Sequence, residues 1–108
     1  MSGTVDGGRP VAGGAVDPDD VPLGGVPRVA RPFRLQFEQA QDAWVLLYPE
    51  GMVKLNGPAG AILSRCDGEA DVRSIVTGLQ EAFGQADLTR DVRGFLAVAL
   101  DNGWVTLA

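Results

Sequence analysis

"MVKLNGPAGAILSRC", residues 52–66, is where the hydrophobic period of this chain changes, and the fold turns on how that change is read. Met52-Val53-Lys54-Leu55 has the alternation of a short strand, and Asn56-Gly57-Pro58 then interrupts it. Beyond the break, Ala59, Ile62, Leu63 and Cys66 recur at i, i+3, i+4 and i+7, the spacing of one helix face. Asn56 can cap this helix and Pro58 lies near its first turn, so a strand is expected to pass directly into a helix running to about Cys66.

Upstream, Phe33-Arg34-Leu35-Gln36-Phe37-Glu38 alternates apolar and polar without error, which predicts a strand with one wet face. Ala43-Trp44-Val45-Leu46-Leu47-Tyr48 is apolar on both faces and predicts a central strand. Pro49-Glu50-Gly51 supplies the turn into Met52–Leu55, giving a three-stranded antiparallel meander. The last strand of the meander precedes a helix and is expected at the sheet edge.

Downstream, Gly68 stands where a helix ends left-handed, and Asp71 precedes a second stripe of Val72, Ile75, Val76, Leu79 and Phe83 that stops at Gly84. Asp87 or Thr89 can cap a third helix with the stripe Val92, Phe95, Leu96 and Ala99, ending at Asn102-Gly103. Trp104–Leu107 packs back or adds a strand. The expected fold is α+β and winged helix-turn-helix-like, a three-stranded antiparallel sheet followed by three helices. Helix three is apolar nearly all round at Gly94–Leu100, which predicts cover on more than one face.

Residues 1–27 concentrate glycine and proline without helical or strand period and are expected to be a disordered tail, leaving residues 28–108 as one domain. Apolar residues make up 45% and charged residues 21% of the 108, enough for a real core. The net charge of −5, with no basic cluster, disfavours nucleic acid and anionic membranes as partners. A single cysteine, a start without signal-peptide character and the lack of a long apolar run predict a cytoplasmic chain with no membrane role.

The chemistry of catalysis is poorly represented. Histidine is absent, which removes the commonest general base and metal ligand. Cys66 falls on an apolar stripe and reads as a small buried hydrophobe rather than a nucleophile. Asp17, Asp19 and Asp20 lack the spacing of a calcium loop, and the glycine pairs do not join a strand to a helix as phosphate loops do. No catalytic residue, metal or cofactor is expected. A DNA reading of helix three is weakened because Arg90 and Arg93 are offset by Asp91 and Asp101. An interaction module remains, in which a peptide adds as a strand at Met52–Leu55 and lies against the surplus apolar surface of helix three. On this reading a proline at Val53 should remove an edge donor. The plainer alternative is that these residues mediate self-association or simply enlarge the core.

Several stretches together resemble the PqqD family of peptide chaperones of pyrroloquinoline quinone biosynthesis: Trp44–Gly51 (WVLLYPEG), Leu55-Asn56, Ala61-Ile62-Leu63, Cys66-Asp67-Gly68, Asp91-Val92, Phe95-Leu96 and Gly103-Trp104. The resemblance covers about residues 27–107. It implies a RiPP recognition element without catalytic residues, which binds the precursor peptide PqqA and presents it to the radical SAM enzyme PqqE. It also admits a homodimer. In the family the peptide adds beside the third strand, in a groove flanked by the third helix. Carried onto this chain, the implied peptide-binding residues are Met52, Val53, Lys54, Leu55, Arg93, Phe95, Ala97 and Val98. Either margin of helix three can face the peptide: Asp91, Phe95 and Val98 on one side, or Arg93, Leu96 and Leu100 on the other. A recognition element of another peptide-modifying pathway, such as lasso-peptide maturation, or a winged-helix DNA binder are the alternatives.

Overall fold

The computed structural model describes residues 16–108. Three strands, β2 (Arg34–Glu38), β3 (Ala43–Tyr48) and β4 (Gly51–Lys54), follow a short β1 (Pro27–Val29). Helices α1 (Gly57–Leu63), α2 (Val72–Phe83) and α3 (Thr89–Asp101) come next, and β5 (Val105–Leu107) closes the chain. β2, β3 and β4 form an antiparallel meander in that order, so β3 is central and β4 lies at an edge, as its sequence predicts. Among the described residues no helix is long and apolar enough to cross a membrane.

The register explains which face is buried. Leu35, Leu46 and Val53 stand opposite one another across the three strands, and Leu46 is fully buried beneath the helices. The core combines this face with Ile62 and Leu63 of α1, Val72, Ile75, Val76 and Leu79 of α2, and Val92, Leu96 and Ala99 of α3. These helical positions are the stripes read from the sequence. Two stripe residues depart: Phe83, in the last turn of α2, is exposed, and Phe95 of α3 is only partly buried.

Local signals set the helix ends. The Asn56 side chain accepts from the Ala59 N–H at 2.8 Å, capping α1, and that of Asp71 accepts from the Ser74 N–H at 2.8 Å, capping α2. Gly84 closes α2 with φ 63°, a left-handed conformation suited to glycine. α1 ends at Leu63, three residues earlier than its stripe implies. Arg65 and Cys66 donate to Ile62 and Leu63 through tighter i to i+3 bonds, so the apolar spacing outlasts the helix by one turn. α3 begins after Leu88 without a side-chain cap of its own, while Asp87 accepts from the Thr89 N–H at 3.0 Å.

Two features depart from the sequence reading. β5 does add a strand, but its partner is β1, and the two form a separate antiparallel ribbon pairing Pro27, Arg28 and Val29 with Leu107, Thr106 and Val105. The second departure is in the expected tail. Its residues 1–15 lie outside the described residues, whereas residues 16–27 are folded. Pro18–Asp20 forms a 3-10 turn capped by Asp17, and Val21 is completely buried. The carbonyls of Leu23 and Gly25 accept from the first N–H groups of α2, Arg73 and Val72, at 2.9 Å each. This segment is ordered by partners distant in sequence, among them Arg73, Val72 and Arg93, not by any local period.

Candidate functional site

An open groove of about 900 Å³ lies between the β4 edge, the start of α1 and one flank of α3. β4 contributes Met52, Val53 and Lys54, and the following Leu55 continues the wall. α3 contributes Asp91, Phe95 and Val98, and Asn102 at its C-terminal cap continues their face at spacings of i, i+4, i+7 and i+11. Aromatic rings shape the remainder: Phe33 and Tyr48 lie with centroids 5.4 Å apart, and Phe95 and Trp104 with centroids 6.4 Å apart. Phe95 and Val98 stay partly exposed while their neighbours Val92, Leu96 and Ala99 are buried. Apolar surface is therefore left facing the groove.

The backbone of β4 decides how a ligand could bind there. Leu55 N–H donates to Trp44 O at 3.1 Å, one step beyond the pairing of Lys54 with Val45. In an antiparallel ladder, hydrogen-bonded and non-hydrogen-bonded pairs alternate, so Val53 is bonded inward to Leu46. Met52 and Lys54 then turn their N–H and C=O groups outward, to an edge with no strand beside it among the described residues. The expectation that Val53 offers an edge donor is thereby corrected: the outward donors belong to Met52 and Lys54.

Of the residues expected to contact a peptide, six meet at the groove: Met52, Val53, Lys54, Leu55, Phe95 and Val98. Arg93 and Ala97 do not. Arg93 lies on the opposite flank of α3, where its Nε donates to Val21 O at 2.9 Å and its Nη2 to Asp19 O at 3.0 Å. Ala97 is 3% exposed and belongs to the core. The two margins of α3 thus have different tasks, the Asp91–Phe95–Val98 margin lining the groove and the Arg93 margin holding the 16–26 segment. Tyr48, Phe33, Ile62, Asn102 and Trp104 line the groove without having been singled out, because each reads in sequence as core or turn.

The titratable groups near the helix joints are structural. Burial, reinforced by the neighbouring Asp67 carboxylate, pushes the Cys66 thiol up to about 12, and its Sγ contacts Ile62 O at 3.4 Å. Such a thiol is protonated at neutral pH and a poor nucleophile. Asp67 is held below the usual carboxylate range because it accepts from the Ala70 and Glu69 N–H groups.

Comparison with known proteins agrees with this architecture. Residues 43–105 match the family model described as coenzyme PQQ synthesis protein D (PqqD). A protein of Azotobacter vinelandii named PqqA binding protein is 48% identical over 79% of this chain and 94% of its own length. A Pseudomonas aeruginosa protein of the same name is 51% identical over the same shares. The solution structure of the PqqD truncation of Methylobacterium extorquens PqqCD, described as a functional, stand-alone RiPP recognition element, is similar with a TM-score of 0.59. That similarity comes at 26% identity, over 81% of this chain and 90% of the other. With a family match across more than half its length and relatives near half identical over most of both chains, this chain belongs to the PqqD family of coenzyme PQQ synthesis proteins.

Proposed function

We propose that this chain is a non-catalytic recognition module of the cytoplasm that binds the precursor peptide PqqA and presents it to the radical SAM enzyme PqqE. The peptide adds as an extended strand to the free edge of β4, and alternate side chains settle against Phe95 and Val98. The names of the relatives support PqqA as the ligand. The observation that carries the reading is the outward-facing backbone of Met52 and Lys54, which opens into an apolar groove walled by α3. Affinity comes from strand hydrogen bonds and from burial of apolar area, at roughly 25 cal/mol per Å² before the costs of association.

Titration with a PqqA peptide, followed by backbone amide shifts, tests this. Shifts are expected at residues 51–55 and along 91–102; binding that leaves both stretches unmoved would sink the model. Two proline variants sharpen the result. Met52→Pro deletes an outward donor and should weaken peptide binding while the domain stays folded. Val53→Pro deletes a bond to β3 and should instead destabilise the domain by about 1–3 kcal/mol.

A further inference from the structure

Lys54 is the only lysine in a chain of net charge −5, and it stands on β4, whose outer edge has no strand beside it among the described residues. Its exposed side chain lies on the outer face of the sheet, in the row Gln36, Val45 and Lys54, away from the groove floor. Its backbone groups face the open edge, so a residue bonded to them in an added strand lies directly opposite and projects its side chain to the same face. Across the groove, on the inner side, stands the exposed carboxylate of Asp91 in the first turn of α3. Glu38, the acidic residue at the end of β2, is bonded to Gln36 and lies two strands from the edge. Positive charge is thus offered on the outer side of an added strand and negative charge on the inner side.

We infer that Lys54 is a specificity-determining residue, which selects a peptide strand carrying an acidic side chain outward, opposite Lys54, with apolar side chains inward over Phe95 and Val98. Asp91 excludes acidic side chains from the inward positions. This rests on the strand-addition reading above. An edge lysine also discourages indiscriminate strand pairing, and that role is blind to the ligand's charge.

The test is a charge swap. The PqqA peptide and its single Asp→Lys and Glu→Lys variants are titrated against the wild-type chain and against Lys54→Glu, an exposed substitution whose fold is checked by thermal melting. At one acidic position, reversal should weaken wild-type binding roughly two- to tenfold, as expected for a cross-strand charge pair. Lys54→Glu should restore it, and 0.5 M salt should shrink the difference. Equal effects of every reversal on both proteins, with amide shifts still at residues 51–55, would overturn the role of Lys54 and leave strand addition standing. Peptide binding without those shifts, or no binding at all, would overturn both.

Discussion

Gly60 is buried where α1 crosses β3, and its missing side chain is what lets the helix approach Trp44. A Cβ there would meet Trp44 Cδ1 at 2.7 Å and its Cβ and Cγ at 3.0 Å. The ring also packs edge-on against Phe37, with centroids 5.3 Å apart. Gly60→Ala is therefore expected to cost about 1–3 kcal/mol through overpacking, despite the better helix propensity of alanine. Thermal melting with Trp44 fluorescence checks this, and an unchanged or raised melting temperature would show that the ring can move. Lys54 and Arg93 make the complementary point about charge. Both are cations within reach of α3 or the β4 edge, yet one remains exposed beside the open strand and the other is bonded to backbone carbonyls.

Among the elements, α2 shows how a short chain secures a helix that positions others. Asp71 supplies its cap, the segment before β1 supplies two carbonyls to its first turn, and Gly84 ends it. Asp71→Ala should lower the midpoint of denaturant unfolding, whereas Asp71→Asn keeps an acceptor oxygen and should change it little at neutral pH. The Asp71 carboxyl is held below its ordinary value first by the Ser74 N–H and then by the Ser74 hydroxyl. Asp67 and Asp87 are lowered likewise by backbone N–H groups. A carboxyl depressed in the folded state adds stability above its unfolded value of 3.8, and that stability is lost as pH falls through the depressed value. The melting temperature should accordingly decline below about pH 4. Asp71→Asn should flatten that decline, so parallel wild-type and variant curves between pH 2 and pH 6 would contradict the assignment.

At the scale of the whole molecule, α3 is held between two different surfaces. One flank faces the groove through Asp91, Phe95 and Val98, and the other receives the 16–26 segment through Arg93 and Asp101. Asp101 accepts from the Val16 N–H at 2.9 Å, and the β1–β5 ribbon is extended by reciprocal bonds between Val26 and Ala108 at 3.1 and 2.9 Å. Both ends of the described chain are thus tied to the body that forms the groove. Arg93→Ala removes both guanidinium bonds to carbonyls of the 16–26 segment, which straps this flank of α3, and should lower stability by about 1–3 kcal/mol. Hydrogen exchange should show the loss as faster exchange of the Val72 and Arg73 amides, which depend on strap carbonyls. Protection unchanged at those amides would show that the strap holds without Arg93.

Alternation in Phe33–Glu38, the doubly apolar Ala43–Tyr48 and the change of period at Asn56 are local, short-range patterns, and they were enough to specify a meander followed by three helices. The caps at Asn56 and Asp71 and the stop at Gly84 were legible for the same reason, since each acts on the residues beside it. The apolar excess of α3 was also visible, together with the two margins that could face a ligand. Which margin lines the groove was not. That choice depends on where the strap lies, and the strap is ordered by Val21 entering the core and by carbonyls meeting Arg93 more than 70 residues later. The direction of the β4 edge donors likewise followed only from the register with β3, because alternation in sequence assigns side chains to faces but does not say which N–H groups a neighbouring strand takes up. Periodicity therefore determined the elements, and long-range partners decided which of their surfaces stayed open.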